Sequence, residues 1–365
     1  MTSGAQDPTR AGATRAGFGT TPAGAPVEAV TLRNAAGLEV CVLSLGAAIQ
    51  SVMAPDRAGR FADVALGFPT LDGYLASPDY MGVSVGRVAN RIAGGRFRLD
   101  GEEHHVPVND GPNSLHGGGE GLDRRVWDIL DVRDGENPGV SLGCISPDGD
   151  QGYPGALTVA ADYTLTSDGV LVLDYEATTS RPTVVNLTSH GYWNMAGEGH
   201  AGGAMSHLLT IYADEYLPTD RSAIPTGEFR RVDSTPFDFR SPTAVGLRVR
   251  DASDEQIVFG RGYDHNWVVS RAPSAEPRPV AVLEDPVSGR VMELSSDQPG
   301  VQMYSGNFLD GSTPGKSGRL YRQGDAVVLE PQMFPDTPNR PEFGSVRLEP
   351  GQTYRNRIRF RFFTR

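Results

Sequence analysis

A histidine lies among aromatic and amide side chains at the end of an apolar run, Val184-Val185-Asn186-Leu187-Thr188-Ser189-His190-Gly191-Tyr192-Trp193-Asn194. Imidazole exchanges a proton near neutral pH without needing a shifted pKa. His190 is therefore a candidate general acid or general base. The alternative is a structural histidine that hydrogen bonds hold in the core, and this segment alone favours neither interpretation.

A carboxylate follows a second apolar run, Ala326-Val327-Val328-Leu329-Glu330-Pro331. Proline lacks the N–H that continues a strand's hydrogen-bond ladder, so the pattern predicts a strand that ends at Glu330. A carboxyl group embedded in apolar sequence has a raised pKa, which suits a general base. The alternative is a Glu side chain that reaches solvent from the strand end.

Two further segments combine polar groups with room for a ligand. Gly262-Tyr263-Asp264-His265-Asn266-Trp267 suits a sugar, because Asp and Asn bind hydroxyls while aromatic rings cover the apolar C–H face. Asn113-Ser114-Leu115-His116-Gly117-Gly118-Gly119 places another histidine at a glycine-rich turn, where backbone and ligand can approach closely. This turn does not match a phosphate-binding loop, since no Lys follows it and no strand-to-helix pattern surrounds it.

Sequence motifs for other chemistries are absent. The sequence has no GxSxG elbow, no dinucleotide fingerprint and no zinc or calcium spacing, so we predict neither a metal nor a cofactor. Lys316, in a loop-like run, is the single lysine and a poor candidate for Schiff-base chemistry. Cys41 and Cys144 lie far apart in apolar runs, which favours buried free thiols over a disulfide.

The segments that must position these groups alternate between apolar and polar residues, as strands with one buried face do. Leu157–Leu165 alternates in this way, and Tyr354, Ile358, Phe360 and Phe362 share one face with four arginines between them. A solvent-exposed strand face explains the arginines better than a polyanion-binding stripe in so acidic a chain. No segment shows three turns of helical periodicity. We therefore predict an all-β fold, one large antiparallel domain built as a layered sandwich.

Residues 1–26 are mostly Ala, Gly, Thr and Pro, which predicts a disordered low-complexity tail before a single domain over residues 27–365. The tail has no apolar segment typical of a secretory signal, and no run in the chain nears the ~20 apolar residues that cross a bilayer. We expect a cytoplasmic protein with no membrane partner, either a monomer or a weak dimer. A net charge of −12 disfavours binding to nucleic acid.

Taken in chain order, these segments resemble the aldose 1-epimerase (galactose mutarotase) family. The similarity runs from about residue 27 to the C-terminus; each motif alone is weak, but the ordered set is specific. The matching segments are Gly86-Arg87-Val88-Ala89-Asn90-Arg91-Ile92, 113–118, Ser146-Pro147-Asp148-Gly149, Gly152-Tyr153-Pro154-Gly155, 185–194, 262–266, Gln298-Pro299-Gly300-Val301-Gln302, Tyr304-Ser305-Gly306-Asn307-Phe308-Leu309 and Leu329-Glu330-Pro331-Gln332.

The resemblance implies a large antiparallel β-supersandwich and an isomerase. Such an enzyme interconverts the α and β anomers of free aldohexoses, such as glucose and galactose, without a cofactor. By resemblance, Glu330 is the base that removes the proton of the anomeric hydroxyl, and His190 is the acid that protonates the ring oxygen with help from His116. The sugar-binding residues that it implies are Asn90, Arg91, Asp264 and Gln298.

Two positions depart from the family pattern, and both bear on substrate preference. Gly191 follows the acid where Ser is common in the family, and Met333-Phe334 replaces a Trp-containing stretch after the base.

Three other functions stay open at this point. A hexose-6-phosphate mutarotase would place arginines at the pocket mouth, and Arg87, Arg124 and Arg125 are the candidates. A glycoside hydrolase would need two carboxylates flanking one bond, for which Glu330 and Asp264 are available. A noncatalytic sugar-binding protein on the same fold would be expected to lack the acid or the base, and this sequence contains both.

Overall fold

Residues 11–365 are described by a computed structural model, and within this range the chain forms thirty strands and two short α-helices. The helices are α1, Leu71–Ala76, and α2, Glu255–Gly260. Each has six residues. In this part of the chain, neither helix has the length or the apolar content to cross a bilayer.

The first fifteen strands come from the N-terminal half of the chain. They are β1 Gly12–Thr20, β2 Pro26–Arg33, β3 Glu39–Leu43, β4 Ile49–Pro55, β5 Phe61–Asp63, β6 Ser84–Val85, β7 Arg91–Ile92, β8 Arg96–Leu99, β9 Glu102–His105, β10 Ser114–Leu115, β11 Asp128–Arg133, β12 Gly139–Ser146, β13 Leu157–Leu165, β14 Val170–Thr179 and β15 Thr183–Val184.

The other fifteen strands follow from residue 188 onward. They are β16 Thr188–Ser189, β17 Tyr192–Trp193, β18 Leu208–Ile211, β19 Glu215–Leu217, β20 Arg230–Arg231, β21 Thr243–Ala244, β22 Asp264–Val268, β23 Arg278–Glu284, β24 Arg290–Ser296, β25 Gly300–Tyr304, β26 Asp310–Pro314, β27 Leu320–Arg322, β28 Val327–Gln332, β29 Arg347–Leu348 and β30 Tyr354–Thr364.

Three large sheets organise these strands. A nine-stranded sheet has the order β11-β12-β13-β14-β30-β24-β23-β18-β21, a six-stranded sheet has the order β17-β28-β25-β22-β19-β20, and a five-stranded sheet runs from β1 to β5 in sequence order. Five two-stranded pairs complete the fold: β6/β16, β7/β10, β8/β9, β15/β29 and β26/β27. The predicted all-β class is confirmed.

The main core is formed by residues of all three large sheets, and the nine-stranded and six-stranded sheets meet in it. The Trp193 ring of β17 packs against Phe360 and Phe362 of β30, with ring centroids 5.1 and 5.8 Å apart. Along β28, Val327 and Leu329 belong to the same core, whereas Val328 belongs to a separate cluster on the other side. The six-stranded sheet therefore has one face in the core and a second face available for other contacts.

The arginine row of β30 lies on the outer face of the nine-stranded sheet, as predicted. Each of the four arginines pairs with a carboxylate; the pairs are Arg355–Glu176, Arg357–Glu276, Arg359–Asp174 and Arg361–Glu293. These ion pairs neutralise the row, which argues against a polyanion-binding stripe.

Residues 12–20 form strand β1, so the prediction of a disordered tail up to residue 26 is wrong for this segment. β1 pairs with β2 antiparallel, with a register shift between Gly17 and Gly19, and Phe18 packs on Tyr74 of α1. Backbone pairing along the edge of a sheet orders a segment that buries few apolar side chains of its own. Residues 1–10 of the predicted tail lie outside the described range.

Strand β28 continues through Pro331 to Gln332, so the prediction that it ends at Glu330 is wrong. On one side β28 pairs with β25 from Val328 to Gln332, but on the other side β17 reaches only Val328. Beyond Val328, β28 is therefore an edge strand on that side, where a proline without an N–H is tolerated. The Pro331 carbonyl accepts hydrogen bonds from Thr188 Oγ1 and Asn356 Nδ2.

Both cysteines are free thiols, as predicted. Cys144 is buried in β12 and Cys41 is partly buried in β3. Burial raises the pKa of each thiol to about 11. Because the thiolate is the reactive form, both side chains are chemically inert near neutral pH.

Phe360→Ala should lower the free energy of unfolding by about 3–5 kcal/mol, because it removes a fully buried ring between the two large sheets. The control is Arg361→Ala on the outer face, where loss of a solvent-exposed ion pair with Glu293 should cost about 0–1 kcal/mol. Urea unfolding followed by tryptophan fluorescence measures both. Equal losses would contradict the assignment of the two faces.

Candidate active site

Three neighbouring strands carry polar side chains on the face of the six-stranded sheet that points away from the core. Glu330 of β28 lies opposite Gln302 of β25, and Gln302 lies opposite Asn266 of β22. Asp264 is two residues from Asn266, so all four side chains share one face. Gln302 Nε2 donates a 2.7 Å hydrogen bond to Asp264 Oδ1. The strand register thus brings two carboxyl groups and two amides together.

His190 reaches the same face from the segment between β16 and β17. Its backbone is held on both sides, because His190 N–H donates to Val83 O at 2.9 Å and His190 O accepts from Gly82 N–H at 3.1 Å. His190 Nε2 lies 3.8 Å from Glu330 Oε1. This separation exceeds a hydrogen bond, so both atoms are free to contact a third group.

Two buried polar atoms of this pair have no hydrogen-bond partner among residues 11–365, namely His190 Nδ1 and Glu330 Oε2. The two residues are 5% and 2% exposed. Buried polar atoms are nearly always hydrogen-bonded, and leaving one unpaired costs about 1–3 kcal/mol. Two such atoms on a facing acid–base pair are therefore available to a polar ligand, and this makes the pair a candidate for function.

His116 approaches the pair from the turn after β10. His116 N–H donates to Asn90 O at 2.9 Å, and His116 Nδ1 accepts from Asn90 N–H at 3.2 Å. Because Nδ1 is an acceptor, the proton of the neutral ring lies on Nε2. The His116 and His190 rings meet edge to face, with centroids 5.2 Å apart. A Cβ on Gly117, the next residue, would collide with the Gly86 carbonyl, so the close approach of this turn requires glycine there.

Arg91 supplies the positive charge of the site. It is 7% exposed; its Nε donates a 2.7 Å hydrogen bond to Asp110 Oδ2, and an Nη atom lies 3.9 Å from Asp264 Oδ2. The Asn90 side chain accepts a hydrogen bond from Arg91 N–H, which fixes the two neighbours relative to each other. Arg91 thus links Asp264 to the outer Asp110.

Burial shifts the proton affinities of the acid–base groups in opposite directions. It raises the pKa of Glu330 well above its usual value, with a further rise from Asp264 and an opposing effect of Arg91. It lowers the pKa of His190 to about 4. Burial, together with the charges of His190 and Arg91, holds the pKa of His116 well below its usual value. A low dielectric disfavours the charged form of every one of these groups.

His116, His190 and Glu330 also form the one group of three potential metal ligands found in residues 11–365. Their ligand atoms lie within 4.8 Å of one another. Two imidazoles and a carboxylate match a ligand set that zinc uses in catalytic sites. The same three side chains also make up a complete acid–base set. They come from three distant segments, so no single short motif in the sequence predicts that they lie together.

The comparisons with known proteins agree with this geometry. Residues 28–361 match the family model described as aldose 1-epimerase. Galactose mutarotase from Homo sapiens is 43% identical over 353 residues, which cover 96% of this chain and 99% of that protein. Aldose 1-epimerase from Escherichia coli (strain K12) is 36% identical over 343 residues, covering 93% and 96%.

The chain belongs to the aldose 1-epimerase family. Solved structures show the same fold. Galactose 1-epimerase from Lactobacillus acidophilus NCFM superposes with a TM-score of 0.85 at 28% identity, covering 97% of this chain and 99% of that one. An aldose epimerase homologue from C. elegans gives a TM-score of 0.83 at 30% identity, covering 92% and 98%.

Six of the seven site residues expected from the aldose 1-epimerase resemblance come together around one buried cluster. These are Glu330, His190, His116, Asn90, Arg91 and Asp264, which the contacts above connect. Their convergence supports the roles assigned to them by resemblance.

Gln298 does not join this cluster, so its expected place in the site is wrong. Its Nε2 donates to Asp297 Oδ1 at 2.8 Å and to Arg355 O at 3.2 Å. Gln298 precedes Pro299 and lies before β25, so no strand carries it to the polar face. Gln302 occupies that face instead. The signal for Gln302 was a polar residue inside an otherwise apolar strand, the same signal that identified Glu330.

The three arginines considered for phosphate binding are all engaged by the protein. Arg87 is buried and donates to Ser146 Oγ and to backbone carbonyls, Arg124 donates to carbonyls of the α1 segment, and Arg125 pairs with Asp150 at 2.7 Å. Their guanidinium groups are thus engaged by other groups of the protein. A hexose-6-phosphate mutarotase would need arginines free to bind the phosphate group, and these three are not free.

Glu330→Gln should raise the free energy of unfolding by about 1–3 kcal/mol at pH 8, because a neutral amide replaces a buried carboxyl group that resists ionisation. The folded-state pKa of Glu330 is raised, so its contribution to stability is present at low pH and is lost as pH rises through that pKa. The advantage of the variant should therefore grow from pH 5 to pH 8. Chemical denaturation at both values measures it, and a variant less stable than wild type at pH 8 would contradict the assignment.

Proposed function

We propose that this chain interconverts the α and β anomers of free aldoses, glucose and galactose among them, by acid–base opening and reclosure of the sugar ring. Relatives that match over nearly their whole length are named galactose mutarotase and aldose 1-epimerase, which supports the same chemistry here. The observation that carries the proposal is the buried pair of His190 Nε2 and Glu330 Oε1, 3.8 Å apart.

In the proposed reaction, Glu330 takes the proton of the anomeric hydroxyl O1. The electron pair left on O1 forms the C1=O1 double bond, the C1–O5 bond breaks, and His190 donates a proton to O5. The open-chain aldehyde turns about C1–C2, and O5 then adds to the other face of C1. Glu330 returns its proton to O1 and His190 regains the proton of O5. Atoms and electrons balance with one acid and one base.

The shifted pKa values suit these roles. A raised pKa makes the Glu330 carboxylate a stronger base, and a pKa near 4 makes protonated His190 a stronger acid. Both shifts favour proton transfer to and from the sugar, and a positioned acid–base pair typically contributes about 10²- to 10⁴-fold to a rate. Burial makes the ionised pair costly. Sugar hydroxyls and the nearby Arg91 charge would stabilise it in the complex.

The other site residues have positions that suit sugar binding. His116 carries its proton on Nε2 beside His190, so it can assist protonation of the ring oxygen. Arg91, Asn90, Asp264 and Gln302 offer charged and amide groups that can bind neighbouring hydroxyls. Losing one such buried polar contact usually costs about 1–3 kcal/mol.

The alternatives have less support. A glycoside hydrolase needs a second carboxyl group across the scissile bond from the first. The group that faces Glu330 at 3.8 Å is an imidazole, and the Asp264 carboxyl group is engaged by Gln302 and Arg91. A noncatalytic sugar-binding protein would be expected to lack the acid or the base, whereas His190 and Glu330 are both present and face each other. The cytoplasmic location and the monomeric or weakly dimeric state stay predictions of the sequence.

Polarimetry of freshly dissolved α-D-glucose and α-D-galactose, in a buffer that catalyses mutarotation weakly, tests the proposal. Wild type should accelerate relaxation of at least one sugar, and Glu330→Gln should lose at least about 10²-fold of kcat because the base is gone. If wild type accelerates neither sugar, the proposal for free aldoses is wrong. Glucose 6-phosphate serves as the comparison substrate, and faster relaxation of this sugar alone would favour the phosphate alternative.

Gln302→Ala and Gln298→Ala form a matched pair for the binding face. Gln302→Ala should lower kcat/KM by roughly 5- to 150-fold, the equivalent of a lost contact of about 1–3 kcal/mol. Gln298→Ala should leave kcat/KM within about 2-fold and act only on stability, since Gln298 bonds to Asp297 and Arg355 outside the cluster. A larger loss of kcat/KM in Gln298→Ala than in Gln302→Ala would show that Gln298, and not Gln302, binds the sugar.

A further inference from the structure

We infer that Tyr80 is a positioning residue for the two histidines, an inference that rests on the proposed function of that pair. The Tyr80 ring lies edge-on to His116 with centroids 4.7 Å apart, and its centroid is 5.8 Å from that of His190. Among residues 11–365, it is the one tyrosine in ring contact with both imidazoles. Tyr80 thus forms a wall on one side of the acid and its neighbour.

The backbone around Tyr80 is tied to the segment that carries His190. Two residues after Tyr80, Gly82 N–H donates to His190 O, and Val83 O accepts from His190 N–H. The residue before Tyr80 is also held, since Tyr192 Oη donates to Asp79 O at 2.8 Å. Hydrogen bonds on both sides of Tyr80 therefore fix its loop against the His190 segment.

The conformation of Tyr80 itself is one that a bulky residue rarely adopts. Its φ is +54°, in the left-handed region, where a residue with a side chain pays roughly 1–2 kcal/mol. Such strain persists only where the surrounding contacts enforce it. In this left-handed backbone conformation, the Tyr80 ring packs against the imidazoles of His116 and His190.

The Tyr80 hydroxyl makes one long, indirect contact with the turn that carries His116, weaker than the contact of its ring. It accepts a 3.4 Å hydrogen bond from Asn109 Nδ2. The same Asn109 side chain clamps the backbone of Leu115, accepting from Leu115 N–H at 2.7 Å and donating to Leu115 O at 3.1 Å. Leu115 directly precedes His116, so ring contact and hydrogen bond act on the same turn.

Tyr80 acts through the histidines and takes no proton itself. Burial, with a smaller contribution from Asp123, raises the pKa of its phenol to about 12, so the hydroxyl stays protonated. Asn90 holds His116 Nδ1 on one side, and the Tyr80 ring packs on another side. The charged groups nearest Tyr80 are Asp110, Asp123 and Arg124, and those nearest the histidines are Arg91 and Glu330.

Tyr80→Ala and Tyr80→Phe separate this role from a general structural one. Tyr80→Ala should lower kcat by roughly 10- to 100-fold with KM changed by less than about 3-fold, because misplacing a catalytic group by about 1 Å costs up to 10²-fold. Tyr80→Phe keeps the ring and loses one long hydrogen bond, so it should restore kcat to within about 2-fold of wild type. Galactose polarimetry over a range of concentrations gives both constants.

Tyr74→Ala is the control. Tyr74 lies in the neighbouring α1 and packs on Phe18 and Phe68, with no ring contact to either histidine. Corrected for the folded fraction, it should keep the wild-type kcat. Three results would overturn the inference: equal losses of kcat in Tyr74→Ala and Tyr80→Ala, a higher KM with unchanged kcat in Tyr80→Ala, or no recovery of kcat in Tyr80→Phe.

Proton NMR of the imidazoles gives a readout that does not depend on activity. Tyr80→Ala should shift the ring resonances of His116 and His190 and raise the pKa of His190 from about 4 toward its usual value, because water regains access. Unchanged resonances would overturn the inference even if the wild type proved inactive on sugars. If Tyr80→Ala does not fold, Asn109→Ala replaces it, with a smaller loss of kcat and a shift of the His116 resonance expected.

Discussion

The burial of the Glu330 carboxyl group opposite His190 is the constraint on which the rest of the site depends. A carboxylate in a low-dielectric interior is costly unless opposite charge and hydrogen bonds surround it. Arg91 supplies the opposite charge, and Asp110 and Asp264 hold Arg91 in turn. Glu330 Oε2 nevertheless has no partner among the described residues. The fold thus retains a reactive carboxyl group at an energetic cost, as active sites do.

The two faces of the six-stranded sheet have different roles: one packs in the core and the other carries the site residues. One face carries Trp193 and Trp267 into the main core, and the other presents Glu330, Gln302 and Asp264. Because side chains alternate along each strand, Glu330 and Gln302 have apolar neighbours, Leu329, Val301 and Met303, that anchor their strands from behind. A site built on paired strands is more precise than one built on loops. The family model matches residues 28–361, and a solved relative has the same fold over nearly the whole chain.

Loops bring the histidines to that rigid face. Asn90 binds both the backbone and Nδ1 of His116, while Gly82 and Val83 bind the backbone of His190. These loops carry several residues at positive φ, among them Tyr80, Asn90 and His116. Such conformations persist where surrounding contacts over-determine them, and they concentrate at functional sites. The acid is therefore placed by strained but well-anchored turns, and the base by regular strand pairing.

The sequence alone determined the strand-rich class, the acid–base residue types and the family. Period-two alternation is local, so Leu157–Leu165 and the arginine row of β30 were predictable, and polar residues inside apolar runs marked Glu330 and His190. Tertiary structure decided what depends on pairing between distant segments. The structure places Gln302, not the expected Gln298, on the polar face of the sheet. It also shows that β28 continues through Pro331 and that residues 12–20 form an edge strand. Register and edge position are set by the partner strand, which no local pattern specifies.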